Sequence, residues 1–242
     1  MRVAVLSDIH SNLRALEAVL GSLGSVDAIW HLGDVVGYGP EPEAVVARLR
    51  EIGAIGVKGN HDDAVCGGRS AEDFNPDART AVEWTRARAD ETVVSYLAGL
   101  PETLVPDGTD FTLVHGSPRA PIWEYLTDPY RAYENLAFFE TRHCLVGHTH
   151  IPLVFREGPG YVERREPDRK SGLALDERRV ILNPGSVGQP RDGDPKASYL
   201  IIDTAAGRAT WHRVVYDVSG TQMAMLAAGL PPRLARRLSF GD

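Results

Sequence analysis

The N-terminal part of the chain alternates short apolar runs with amphipathic ones. Val3, Ala4, Val5 and Leu6 form a run that stops at Ser7-Asp8 and reads as a buried strand. Ser11 and Asn12 then offer caps for a helix that carries Leu13, Leu16, Val19, Leu20 and Leu23 at helical spacing. Ala28-Ile29-Trp30 predicts a second strand, ending at Gly33-Asp34. Pro42 opens a second helix with Val45, Val46, Leu49 and Ile52 on one face. Ile55-Gly56-Val57 predicts a third strand, ending at Gly59-Asn60. Strand, helix, strand, helix, strand is a parallel α/β beginning.

The middle of the chain predicts helices over 78–88 and 91–100, a strand over 111–114 ending at His115-Gly116, and a helix over 130–139. A strand over 143–146 ends at Gly147-His148. Extended runs separated by turns follow at 153–155, 161–163, 180–182, 199–202 and 209–215. The strongly charged stretch 156–179 reads as a solvated hairpin or loop, and the tail from Leu230, with Arg233, Arg236 and Arg237, as a solvated helical end. With no repeat and no linker-like stretch, the expectation is a single α/β domain over 1–242 built on two stacked sheets.

Composition narrows the function classes. At 242 residues the chain can bury a large core, and 43% apolar residues is ordinary for a globular protein. The net charge is −7 with no basic block, a poor basis for binding by counterion release, so no general nucleic-acid binding is expected. Cys66 and Cys144 are far apart and form no CxxC, which excludes a thiolate zinc site; two free buried thiols are expected. The first apolar run is too short for a signal peptide and no run is long enough to span a bilayer. The expected setting is therefore cytoplasmic, without a membrane partner.

The candidate chemistry sits at the strand ends. Asp8-Ile9-His10, Gly33-Asp34, Gly59-Asn60-His61-Asp62, His115-Gly116 and Gly147-His148-Thr149-His150 each close an apolar run. Ligands of an open α/β sheet collect at the carboxyl ends of its strands, so residues far apart in sequence would converge there. Carboxylate and imidazole without thiolate suit Mn²⁺, Fe, Zn²⁺ and similar ions. Asp8, His10, Asp34, Asn60, His115, His148 and His150 are too many for one tetrahedral ion but suit two ions sharing a carboxylate, a device of phosphoryl-transfer enzymes.

In order and spacing these motifs resemble the calcineurin-like metallophosphoesterases. Tyr38-Gly39-Pro40, His115-Gly116-Ser117-Pro118 and the stretch from Asn183 to Pro190 are similar to the small bacterial and archaeal phosphodiesterase branch related to diadenosine tetraphosphatases. The resemblance implies a four-layer fold, two stacked mixed β-sheets flanked by helices. It implies two divalent metal ions, Mn first and Fe, Zn, Ni or Co as substitutes. Asp8, His10 and His150 would hold one ion, Asn60, His115 and His148 the other, and Asp34 would bridge them, with a hydroxide between the ions as nucleophile. His61 would serve the leaving oxygen or the phosphate as the catalytic histidine, with Asn60 and His61 contacting substrate. The protein phosphatases of the family carry an Asp and an Arg shortly after the GD motif; here Val35-Val36-Gly37-Tyr38-Gly39 has neither, so phosphoprotein hydrolysis is disfavoured and His61 needs another source of orientation. Asp62 is adjacent but poorly placed to supply it. Arg191 follows the glycine-containing stretch and is a candidate phosphate contact. That stretch reads equally as an anion-binding turn or a tight connection. The expected partner is a small phosphate ester, with oligomeric state open. A non-catalytic metal-binding scaffold of the same fold and a phosphomonoesterase stand as alternatives.

Overall fold

The computed structural model describes residues 1–68, 70–168 and 170–242. The N-terminal pattern folds as its periodicity dictates. β1 (Arg2–Leu6) leads to α1 (Leu13–Ser22), β2 (Ala28–His31), α2 (Pro42–Glu51) and β3 (Ile55–Gly56). The three strands pair in parallel. Asn12 caps α1 by accepting from the Ala15 N–H, and Pro42 stands in the first turn of α2, where a missing N–H costs nothing. The sheet is completed by β9 (Leu173–Ala174), β11 (Ala197–Asp203) and β12 (Arg208–Val214), in the order β3-β2-β1-β11-β12-β9, with β11 antiparallel to β1.

A second six-stranded sheet runs β4-β5-β6-β10-β7-β8. Its strands are β4 (Thr103–Leu104), β5 (Phe111–Val114), β6 (His143–Leu145), β7 (Leu153–Gly158), β8 (Tyr161–Arg165) and β10 (Val180–Asn183). β5, β6 and β10 are mutually parallel; β4, β7 and β8 add on antiparallel.

Alternation along the strands sets the layers. Val3 and Val5 of β1 meet Phe111, Leu113, Leu145 and Leu182 of the second sheet in the inter-sheet core. Ala4 and Leu6 face the other way, against Leu16, Val19, Val45 and Leu49 of α1 and α2. The far face of the second sheet packs Val114, Cys144, Phe155 and Ile181 against Ala132 of α6 (Pro129–Asn135). The result is the expected α/β/β/α stack of two mixed sheets.

Several elements depart from the sequence expectation. α3 (Asn60–Val65) is a short helix with no apolar period of its own, beginning at a candidate ligand. α4 (Pro76–Arg86) and α5 (Glu91–Gly99) fall where expected, whereas the helix expected over 130–139 breaks after α6 into a 3-10 turn, Leu136–Phe138. α7 (Val218–Ala227) was not legible. The tail is not simply solvated: α8 (Pro232–Arg237) buries Leu234 and Ala235, and Leu238 after it is also buried. Cys144 is a buried free thiol, but Cys66 is only half-buried. The charged stretch is the β7–β8 hairpin followed by a loop to β9, and its position 169 lies outside the described residues.

Candidate metal centre

The strand ends converge as their sequence positions imply. Asp8 and His10 follow β1, Asp34 follows β2, Asn60 opens α3 after β3, His115 follows β5, and His148 and His150 follow β6. All seven are buried, none more than 4% exposed. To bring them together the backbone adopts left-handed conformations that side chains ordinarily avoid. Asp8, His10, Ser11, Asp34, Tyr38, His148 and His150 all have positive φ, and among the described residues no other non-glycine does. Strain concentrated in this way is stored where the surroundings over-determine it, which marks a functional site.

Two donor groups share one carboxylate. Asp8, His10, Asp34 and His150 bring ligand atoms within 4.8 Å of one another, and so do Asp34, His115 and His148. Asp34 Oδ2 lies 3.5 Å from His10 Nε2 and 3.5 Å from His115 Nε2. Asn60 Oδ1 lies 3.0 Å from His115 Nε2, and His148 Nδ1 is 3.0 Å from the same atom.

The surrounding hydrogen bonds decide which atoms are donors to a cation. His10 Nδ1 faces the Val36 carbonyl at 3.1 Å, His115 Nδ1 the Leu32 carbonyl at 2.7 Å, and His150 Nδ1 the Gln189 carbonyl at 2.6 Å. A carbonyl can only accept, so each ring keeps its proton on Nδ1 and presents a bare lone pair at Nε2. Two such lone pairs, on His10 and His150, then face each other at 3.2 Å, and His150 Nε2 faces the Asp8 carboxylate at 3.3 Å. Asp8 Oδ1 is buried with no hydrogen-bond partner. Lone pairs directed at lone pairs in a buried site are unfavourable unless a cation lies between them, so the donor set fits divalent metal ions.

Burial dominates the electrostatics. It pushes the Asp8 carboxyl up to about 7 and raises Asp34 well above the usual carboxylate range, the neighbouring Asp62 adding to the latter. It lowers His10, His61, His148 and His150 well below the ordinary imidazole value, with neighbouring histidine and arginine charge adding to it. Carboxylates that resist ionisation and imidazoles that resist protonation are groups lacking a counter-charge.

His61 is not part of either donor group. Its ring is packed between Tyr38 at 4.4 Å, Phe74 at 4.8 Å and His10 at 4.9 Å, and its Nδ1 is buried without a partner. Gly37 lies against that nitrogen: a Cβ there would sit 2.4 Å from Nδ1. Packing therefore orients His61, in place of a carboxylate. Asp62 does not: it accepts from the Val36 and Gly59 N–H groups, each at 3.0 Å.

The stretch from Asn183 to Pro190 is a brace. The Val187 and Gly188 N–H groups donate to the Ser7 and Asp8 carbonyls, and Ser186 Oγ donates to Asp8 O at 2.8 Å. These two amides are thus spent on the segment just after β1 and not on an anion. Arg191 beyond it reaches the site, donating to Gln189 Oε1 at 2.7 Å beside the Tyr38 hydroxyl. A cavity of about 270 Å³ opens over the donors, lined by Asp34, Asn60, His61, His148 and His150, with Arg191 and several aromatic rings at its wall. Residues that sequence reasoning missed are Ser7, whose hydroxyl donates to Asp8 Oδ2 at 2.6 Å, the Gln189 carbonyl on His150, and the rings of Phe74, Trp123 and Tyr125.

Comparison with known proteins agrees with this fold. The sequence profile of the calcineurin-like phosphoesterase superfamily domain matches residues 1–207. The chain belongs to that family. This calcineurin-like phosphoesterase superposes on the crystal structure of a metallophosphoesterase from Sphaerobacter thermophilus with a TM-score of 0.91 at 47% identity, covering 100% of this chain and 99% of that one. It is 37% identical to a protein of Methanocaldococcus jannaschii over 99% of this chain and 98% of the relative. It is 27% identical to the phosphodiesterase YfcE of Escherichia coli over 84% of this chain and 88% of the relative. No described helix of this family member is long and apolar enough to cross a membrane.

Proposed function

We propose that the chain is a phosphodiesterase that hydrolyses a small phosphate ester with two divalent metal ions, Mn²⁺ in the first place. One observation carries this reading: the Asp34 carboxylate stands 3.5 Å from imidazole Nε2 atoms of both donor groups, where a single oxygen can serve two cations. The similarity to YfcE supports the preference for a diester. When bound, the cations supply Lewis acidity at the phosphoryl oxygens and lower the pKa of water.

The protein's own groups do the remainder. Asp8, His10 and His150 would hold one ion and Asn60, His115 and His148 the other. Ser7 Oγ fixes the rotamer of Asp8 through its bond to Oδ2 and leaves Oδ1 free to bind. The Val36, Leu32 and Gln189 carbonyls hold His10, His115 and His150 in the tautomer that binds metal. Arg191, at the cavity wall beside Tyr38, is placed to bind a phosphoryl oxygen and offset the charge that builds up on it. His61 lines the same cavity with Nδ1 buried against Gly37, so Nε2 is the ring nitrogen available to the substrate. Since burial keeps this imidazole neutral, it acts as an N–H donor toward the leaving oxygen.

The test is hydrolysis of bis-p-nitrophenyl phosphate and p-nitrophenyl phosphate by chelator-stripped protein, before and after adding Mn²⁺, Ni²⁺, Co²⁺ or Zn²⁺. Metal-dependent cleavage with the diester preferred is the expected result. Preference for the monoester would make the chain a phosphomonoesterase. Metal binding without cleavage of either would leave a scaffold.

A further inference from the structure

Ligands and phosphate contacts account for only part of the cavity; the rest of its wall is aromatic. Phe74 and Trp123 meet edge to face with centroids 5.1 Å apart, and Phe74 also abuts His61. Tyr125 lies flat on His148 at 3.8 Å and 27°, yet is 48% exposed. The rings come from two separate segments, the end of the 3-10 turn Ala71–Asp73 and the loop between β5 and α6.

That loop is held by a charged staple between its two rings. Glu124 accepts from Ser117 Oγ at 2.6 Å, Asn135 Nδ2 at 3.2 Å and Arg119 Nη2 at 2.5 Å, and Arg119 also pairs with Glu134 at 2.8 Å. The hydrogen bonds from Arg119 hold the Glu124 carboxyl down to about 2, so the staple stays charged across the physiological range. A bare phosphate would need none of this, because a hydrophilic anion gains nothing from a partly exposed aromatic wall. The cavity volume, about 270 Å³, lies close to the lower end of the ~300–1,000 Å³ typical of small-molecule sites, which leaves room for an organic group beside the phosphate.

We propose that Phe74, Trp123 and Tyr125 form a specificity subsite for a flat, conjugated ring carried on one ester group of the substrate. The proposal rests on the phosphoesterase reading for the position of the phosphate. Rings stack on aromatic faces through their flat π surfaces, so what the wall requires of the ester group is a flat face.

Binding to Mn²⁺-loaded protein, read by calorimetry, tests this without requiring turnover. Adenosine 5′-monophosphate and ribose 5-phosphate differ only in a base; phenyl phosphate and methyl phosphate differ only in an aryl ring. The ring-bearing member of at least one pair should bind about tenfold more tightly, the size of one stacking contact. A gain in the first pair alone identifies the ring as a nucleobase, and a gain in the second as a simple aryl group. Trp123→Leu and Tyr125→Ala should bring the ratio toward one. Equal affinities within both pairs would overturn the proposal, as would a ratio that survives in both variants. If the protein binds the ring-bearing ligands preferentially but cleaves no ester, the subsite stands and the catalytic reading fails.

Discussion

Asp34 divides the donor cluster into two halves of unequal charge. On one side it joins Asp8, so two carboxylates face His10 and His150. On the other it joins no second carboxylate, only His115, His148 and the Asn60 amide. The first half is braced further, since Ser7 and Ser186 bond to Asp8 and Gln189 to His150. The second half contributes Asn60 and His148 to the cavity wall, where Tyr125 lies on His148, and the first contributes only His150. Affinity for a divalent cation rises with the number of anionic ligands and their preorganisation, so the two halves are suited to different tasks: the half with two carboxylates to retain an ion, the half with one to hold an ion that also meets the substrate.

Removing the shared carboxylate should have the largest effect, because it disables both halves at once. Asp34→Asn is expected to reduce diester hydrolysis by more than the ~10²–10³ that a single transition-state contact is worth, with both metal equivalents weakened in elemental analysis of the desalted protein. Near-normal turnover would remove the bridge. Asp8→Asn and His148→Ala separate the halves. In the wild type, metal should bind in two steps; Asp8→Asn should abolish the tight one and His148→Ala the weak one. A single step of equal affinity, or loss of the same step in both variants, would erase the asymmetry.

His61 belongs to neither half, and its loss should show it. His61→Ala is expected to lower kcat by the ~10²–10⁴ typical of lost proton-transfer or hydrogen-bond assistance, while the metal content stays at the wild-type value. Loss of one metal equivalent would instead make His61 a ligand. Gly37→Ala offers a gentler version, because its Cβ would intrude on His61 Nδ1 at a backbone φ of +90°. It should shift the ring and reduce kcat without changing the ligand set.

The two halves were equally legible in the sequence, although their asymmetry was not. Asp8, Asp34, Asn60, His115 and His148 were visible because each closes or follows an apolar run, and strand ends are where a parallel sheet gathers its ligands. The layers were visible in the uninterrupted apolar run of β1, which suits a strand buried on both faces, and in the helical spacing of α1 and α2. What escaped was whatever left no local pattern. Ser186 braces Asp8 across most of the chain, and nothing near either residue announces the contact. α3 is too short for a period, and β4 and β9 are paired by their neighbours and not by their own propensity. The arginines of the tail concealed the fact that Leu234 and Leu238 lie on its inner face. Glu124 carries no local signal, because its role depends on Arg119, Ser117 and Asn135 meeting in space.

A smaller effect should follow from Ser7→Ala. It removes no ligand, only the hydroxyl that fixes Asp8, and orienting contacts of this kind are worth ~10–100-fold in metal affinity. The loss should fall on the tight step alone, read by competition with a chelating dye; an equal loss in both steps would mean that the halves are not separately braced.

The smallest effect should be thermal, and its pH dependence carries the sign of the charge asymmetry. In the metal-free fold the Asp8 carboxyl has been pushed from 3.8 up to about 7. A raised folded-state pKa means that its contribution to stability is fully present below 3.8 and is lost as pH rises through about 7, because at pH 8 the fold must bury an uncompensated carboxylate. The histidines act oppositely: their lowered values contribute stability above 6.5 that is lost as the unfolded chain takes up protons below it. Metal offsets the carboxylate penalty and must displace a proton from Asp8 below pH 7. The melting temperature gained on adding Mn²⁺ should therefore be greatest near pH 8 and shrink as pH falls through 7. At a hundredfold excess over Kd the gain is worth about 2.7 kcal/mol, several degrees for a chain of this size. In Asp8→Asn the gain should be smaller at pH 8 and fall less steeply across that interval, because one of the two carboxyls raised by burial is gone while Asp34 and the histidines remain. A gain in Asp8→Asn that falls between pH 8 and pH 7 as steeply as in the wild type would move the titration from Asp8 to Asp34, and with it the charge that is meant to distinguish the halves.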